Sequence, residues 1–247
     1  MLVNDKEIEK NRYNNSAIGA FENNSILNID ELALPLRVPY IYYRKMIQEY
    51  VYESANVLEI GAGMGENTEF LLATGAKVYA TDISEHSLSV MGKRFNTNKL
   101  TTQVADMEKL PFADQSFDVI VSAGSLSYGD NDKVLNEIHR VLKVKGVFIV
   151  IDSLNNNPIY RFNRYIHYLK GERSLSVIER APDLKLLDKY GQKFDKIETQ
   201  FFGSISYLVP LMNKIFGEQS STKIVNNIDK IFTIKRSVFK FVMIVKK

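Results

Sequence analysis

The residue types best suited to chemistry in this chain are a glycine-rich turn and two acids, each placed just after a short apolar stretch. Glu59-Ile60-Gly61-Ala62-Gly63-Met64-Gly65 closes the stretch Asn56 to Ile60 and leads into helical spacing from Glu66 to Ala73. Glycines at a strand-to-helix turn let the backbone bend tightly and approach a ligand without Cβ interference. Asp82 ends Val78-Tyr79-Ala80-Thr81-Asp82, where a carboxylate can accept from both hydroxyls of a ribose. Asp106 and Met107 follow a third stretch and offer an acceptor for an adenine amine and an apolar surface for its ring.

These positions need a sheet whose strand ends share one edge. Apolar stretches at 56–60, 77–81, 101–105, 117–121, 147–151, 193–201 and 238–245 read as seven strands, and helical spacing at 66–73, 84–94 and 132–142 separates the earlier ones. That alternation predicts an α/β fold with a mostly parallel seven-stranded sheet and helices on both faces. Residues 1–52 read as a helical arm or lid: the first 30 or so, polar and Asn-rich, as a loose arm with room for a short helix, and 41–52 as an aromatic helix. Residues 53–152 form the ligand-binding core. Residues 153–192 read as a cap insertion, and 193–247 as the last two strands with a second helical insertion at 203–235. Both insertions exceed a plain crossover and are expected to cover the carboxyl edge, where open sheets bind ligands.

VLEIGAGMG, the acid at Asp82 and LPFADQSFDVIVSAGSLSY together resemble the class I S-adenosylmethionine (SAM) methyltransferases, a Rossmann-like family, and within it the type 11 branch with the ubiquinone and menaquinone biosynthesis enzymes. The resemblance covers about residues 52–152. It implies SAM as cofactor, S-adenosylhomocysteine as product, and no metal. It places Glu59 near the amino acid end of SAM with Gly61, Ala62, Gly63 and Gly65 beneath it. Asp82 and Ile83 fall at the ribose, Asp106 and Met107 at the adenine, and Ser122 and Ala123 after the fourth strand. The chain departs from the family at VLKVKG, where Val144 and Lys145 replace the usual Pro and Gly.

A nicotinamide dehydrogenase is the main competitor for the turn, but its G-x-G-x-x-G fingerprint requires Gly where this chain has Glu66. A carboxylate there would also oppose a pyrophosphate at the helix N-terminus. With no cysteine, disulfides, thiolate zinc and Cys nucleophiles are excluded. A formal charge of +3, spread along the chain, makes nucleic acid a poor first choice of partner. No apolar run approaches the roughly 20 residues that span a bilayer, and the opening MLVNDKEIEK lacks a signal peptide's apolar stretch, so a cytoplasmic location is expected.

Methyl transfer to a hydroxyl calls for a base within hydrogen-bond reach. His139 lies off its helix's apolar stripe and reads as a surface residue, and His86 as a cap or surface residue. His167 shares a helix face with Tyr160 and Arg164, beside an apolar stripe of Ile159, Phe162, Ile166 and Leu169 expected to be buried. It reads equally as a catalytic base or as the solvated side of a cap helix. Arg161, Arg164 and Arg173 suit an anionic acceptor such as a phosphorylated or nucleotide-linked sugar, or are ordinary surface charge. Tyr128 faces the expected methyl position. Residues 157–173 and FFGSISYLVPL are similar to stand-alone methyltransferases of bacterial polysaccharide biosynthesis, which implies O-methylation of a sugar or glycan precursor. Two alternatives stand beside it. Ile205, Tyr207, Leu208, Val209, Leu211, Met212, Ile215 and Phe216 could line an apolar tunnel for a lipid-like or quinone precursor, touch a membrane, or simply pack. The chain could also be a non-catalytic SAM-binding partner.

Overall fold

The computed structural model describes residues 3–23, 32–171, 173–231 and 234–247; the part of the expected arm at 24–31 lies outside them. Two helices, α1 (Val3–Asn23) and α2 (Leu34–Tyr50), precede the sheet. Then come β1 (Asn56–Ile60), α3 (Thr68–Ala73), β2 (Lys77–Asp82), α4 (Glu85–Arg94), β3 (Leu100–Val104), β4 (Phe117–Ala123), α5 (Asn131–Val141) and β5 (Leu142–Ser153). A helical cap of α6 (Pro158–Leu169), α7 (Leu175–Glu179) and α8 (Leu184–Lys193) leads to β6 (Lys196–Phe202), α9 (Val209–Ile231) and β7 (Lys240–Lys246).

The seven strands form one sheet in the order β3-β2-β1-β4-β5-β7-β6. β1 to β5 are parallel and β7 runs antiparallel to both β5 and β6. Right-handed crossovers from parallel strands put helices on both faces, so the central strands are buried on both sides and read as nearly continuous apolar runs. One face packs Phe117, Phe148 and Phe241 against Val134 and Ile138 of α5 and Tyr190 of α8. The other packs Val119, Val121 and Ile149 against Tyr43 and Ile47 of α2 and Leu71 of α3. Caps fix where the helices begin: Ser84 accepts from Ser87 N at 3.0 Å, and Asp130 accepts from Lys133 N at 3.1 Å.

Four sequence expectations change. The polar arm is a 21-residue helix, α1, laid against α4. The aromatic helix starts at Leu34, because a proline in the first helical turn costs no intrahelical bond, although Pro39 further in removes one. β6 starts at Lys196, since α8 runs on to Lys193. α6 is turned about its axis: Ile159, Phe162 and Leu169, expected to be buried, are 51%, 67% and 66% exposed, and its polar side faces inward.

The family departure at VLKVKG forms a bulge. The β4–β5 register jumps between Leu142 and Val147, and Lys145 sits at φ 65°, a left-handed conformation that suits glycine. Lys145→Gly is therefore expected to stabilise the fold by about 1 kcal/mol, raising Tm by roughly 2–4 °C in thermal unfolding. A drop in Tm would mean that the lysine side chain contributes more than its backbone costs.

Candidate functional site

A cavity of about 280 Å³ opens where β1, β2 and β4 end, at the carboxyl edge of the sheet. Gly61 (φ 65°) forms its floor, and a Cβ there would meet the Ser125 Cβ at 2.4 Å, so no larger residue fits. Asp82 is buried and braces the turn: Oδ2 accepts from Gly63 N at 2.9 Å and Oδ1 from Ser84 N at 2.8 Å. Its remaining lone pairs face the cavity it lines. Asp106 Oδ1 accepts from Glu108 N at 2.9 Å, and its other oxygen is ion-paired with Lys6 of α1.

The cavity is electrostatically prepared for a cation. Burial lifts the Glu59 carboxyl to about 8, against an opposing hydrogen bond from Thr68 Oγ1 at 2.6 Å. Burial also raises Glu66 and Asp82, and the Asp82 charge adds to the rise at both glutamates. Glu66 and Asp82 line the cavity and Glu59 lies behind its wall, and an incoming positive charge would stabilise the ionised form of each. Asn67 lines the same wall, and its buried Oδ1 has no hydrogen-bond partner among the described residues. A ligand carrying an ammonium group would satisfy that orphaned acceptor.

A second chamber of about 320 Å³ shares Gly124 and Tyr128 with the first. Its roof is the inward face of α6, with Tyr160, Arg164 and His167, and Arg173 follows nearby. Asp152, Ser153 and Lys240 come from the sheet edge. Arg164 Nη1 donates to Asn155 Oδ1 at 2.6 Å, and the Tyr160 and Ser206 hydroxyls lie 2.5 Å apart. Asp152 is fully buried; burial raises its carboxyl, and the Lys240 ammonium partly opposes the rise. Burial lowers Arg164, with Arg173 adding to the fall. Arg164, Arg173 and Lys240 make no ion pair with a carboxylate among the described residues. Among the described residues that line the chamber, Asp152 is the one carboxylate.

Of the residues singled out in the sequence, Gly61, Ala62, Gly63, Asp82, Ile83, Asp106, Met107, Ala123 and Tyr128 line the first cavity. Glu59, Gly65 and Ser122 stand behind its wall. Glu59 is turned to Thr68, Gly65 is packed under Phe95 and Met91, and the Ser122 hydroxyl lies 2.5 Å from that of Ser125. Tyr160, Arg164, His167 and Arg173 line the chamber, whereas Arg161 is on the outer surface of α6. His86 is exposed, and His139 packs on Phe194 at 5.3 Å between ring centroids, where burial lowers its pKa. Among the described residues no group of His, Asp and Glu side chains converges as a metal site.

Sequence reading missed what α1 brings. Tyr13 lines the first cavity and meets Tyr128 edge to face at 5.4 Å. Arg12 Nη2 donates to Tyr128 Oη at 3.1 Å, and Glu9 Oε1 accepts from Ser174 N at 3.1 Å, which ties the arm to the cap. Asp152 and Lys240 were missed as well, because each sits in a strand whose neighbours read as core.

Residues 58–150 match the family described as methyltransferase domain. A sterol 4-C-methyltransferase of Caenorhabditis elegans is 35% identical over 121 residues, 47% of this chain and 36% of that protein. A demethylmenaquinone methyltransferase of Thermobifida fusca is 34% identical over 119 residues, 47% of this chain and 50% of that protein. The chain thus spans half or less of these curated relatives. Among solved structures, a Haemonchus contortus phosphoethanolamine N-methyltransferase in complex with SAM superposes with a TM-score of 0.61 at 17% identity, covering 84% of this chain and 52% of the other. At that identity the likeness concerns the fold.

Proposed function

Residues 58–150 are a class I SAM-dependent methyltransferase domain, and from that premise we propose that the chain moves a methyl group from SAM in the first cavity to an acceptor hydroxyl in the second. The observation that carries this reading is the junction at Gly124 and Tyr128, where an acid-lined cavity meets a polar, cation-lined chamber. When bound, SAM supplies an electrophilic methyl on a sulfonium. Asp82 would hold its ribose, Asp106 and Met107 its adenine, and Asn67 with Glu66 its ammonium. Tyr128, oriented by Arg12 and Tyr13, stands between the two spaces and would align the acceptor, which is where most of the acceleration of a displacement arises. His167 is the candidate to take the acceptor's proton, and Asp152 faces the same chamber.

For the acceptor, we favour a sugar or glycan precursor with an anionic group held by Arg164, Arg173 and Lys240, since guanidinium and ammonium groups suit phosphate and carboxylate. Arg161, exposed outside the chamber, has no part in this proposal. The family match ends at residue 150, before every residue that α6 and β7 give the chamber, so the relatives' acceptors do not carry over. A quinone or other lipid-like precursor is the second reading, supported by the activities for which the sterol and menaquinone relatives are named. A polar chamber weighs against it. Of the apolar run expected to line a tunnel, none of 205, 207–209, 211, 212, 215 and 216 lines either cavity.

The test is calorimetric binding of SAM, with NAD as control, followed by a turnover screen of phosphorylated sugars, nucleotide sugars and quinols. His167→Ala is expected to lower kcat by tenfold or more, within the usual range of general-base catalysis, and to leave SAM affinity unchanged. Equal loss of both would assign His167 to packing. A folded chain that binds SAM but turns over none of these acceptors would favour the partner-subunit reading.

A further inference from the structure

α6 presents its apolar face to water. Phe162 and Leu169 are two-thirds exposed, Ile159 and Tyr165 about half, and none of the helix's 12 residues is buried. The contrast is α5, equally amphipathic, whose Val134, Leu135, Ile138 and Val141 all lie in the core. The orientation of α6 is pinned at three points along its inner side. Asn157 Nδ2 donates to Ser237 O at 2.9 Å, Tyr160 meets Ser206, and Arg164 bonds Asn155. Rolling the helix to bury its stripe would break all three bonds and strip the chamber of its roof. Its apolar side faces outward because its polar side is needed within.

A second exposed strip follows Ser206, whose hydroxyl meets that of Tyr160 on the inner side of α6. It runs from Leu208 along the first half of α9 to the break at Gly217, and Leu211, Ile215 and Phe216 are 60%, 62% and 55% exposed. Residues 157–171 and 203–217, which build both strips, contain Arg161, Arg164, Lys170 and Lys214 and no Asp or Glu, in a chain with 32 basic and 29 acidic residues overall. Glu218, just past the second strip, is engaged by Leu34 N at 2.6 Å. Large aromatic and aliphatic side chains whose charged neighbours within these two segments are all basic match the interfacial helices that lie on anionic membranes. No helix of the described residues is long and apolar enough to cross a bilayer, so the contact would be one of surface.

We propose that this face docks on an anionic lipid surface, with the outer side of α6 and the start of α9 among the acyl chains and Arg161, Lys170 and Lys214 at the headgroups. A second copy of the chain suits the face less well. A two-fold contact sets the same patch against itself, here cation against cation, since neither segment carries an acid of its own. The inference rests on the orientation of α6 and is independent of methyl transfer, so it stands or falls apart from the catalytic reading.

The chain contains no tryptophan, so Phe162→Trp introduces a single fluorescent reporter on the docking face. It is expected to shift to the blue and to float with phosphatidylcholine vesicles containing phosphatidylglycerol, and to do neither with phosphatidylcholine alone. The double variant Phe162→Glu, Leu169→Glu changes only exposed side chains. It is expected to keep its Tm and lose vesicle partitioning by about tenfold or more. Added salt is expected to weaken the wild-type interaction. The proposal is overturned if the wild type binds neither vesicle, if the double variant binds as well as the wild type, or if the wild type sediments as a dimer that the double variant dissociates.

Discussion

Asp82→Ala is expected to weaken SAM binding by ten- to a hundredfold and to leave the apo protein's Tm nearly unchanged. Two ribose hydroxyls donating to one carboxylate make charge-assisted bonds of about 1.5 kcal/mol each, and losing both corresponds to roughly two orders of magnitude in Kd. The near-constant stability has a separate cause. Removing the carboxylate leaves Gly63 N and Ser84 N without their acceptor, but it also removes a charge whose pKa burial has raised and which therefore opposes folding when ionised. The two changes act in opposite directions. Calorimetry on the apo proteins and on SAM titrations reads both quantities. Asp82→Asn, which keeps one of the two acceptors for the turn and loses the charge, is expected to fall between the wild type and Asp82→Ala in SAM affinity. Unchanged SAM affinity in Asp82→Ala would overturn the ribose assignment.

Asp82 is legible in the sequence because of where its information lies. Gly61, Asp82 and Asp106 each stand at the carboxyl end of their own strand, and strand order in a parallel sheet brings those ends together, so local spacing is enough. The chamber is written differently. The amphipathic period of α6 shows that the helix has two faces but not which one the fold turns inward, and burying the apolar stripe is the usual outcome. Here hydrogen bonds from Asn157, Tyr160 and Arg164 reverse it, and their partners lie at 237, 206 and 155. Tyr13 and Lys240 reach the site from the two ends of the chain. Tyr13 is in an Asn-rich helix that propensity alone marks as weak, and Lys240 starts a strand whose following residues are core. The bulge at Lys145 could be read as a departure from the family pattern, but its consequence, a lysine held in a glycine's conformation, needed the backbone itself.

Glu59 gives the second large effect, and its sign is opposite in the empty and the filled protein. Its carboxyl titrates at about 8 when folded, against an ordinary value of 4.5. Between those limits the folded chain keeps a proton that the unfolded chain has lost, so apo stability falls as pH rises through that window. The penalty is absent below about pH 4.5 and complete above about pH 8, on the order of a few kcal/mol at the upper end. Glu59→Gln keeps an oxygen for the Thr68 hydroxyl and removes the charge. Its apo Tm is expected to match the wild type near the acid limit and to exceed it increasingly towards alkaline pH. SAM, with a sulfonium and an ammonium, reverses the balance. A cation in the cavity lowers the pKa of the coupled acids Glu59, Glu66 and Asp82, so binding near neutral pH should expel a proton. Calorimetry in buffers of different ionisation enthalpy would detect that proton in the wild type and a smaller release in Glu59→Gln, whose SAM affinity is expected to fall about tenfold with the loss of one nearby charge. If the two proteins share the same pH slope of stability, Glu59 is already ionised in the empty fold, and the acids behind the glycine turn are not the reason this cavity prefers a cation.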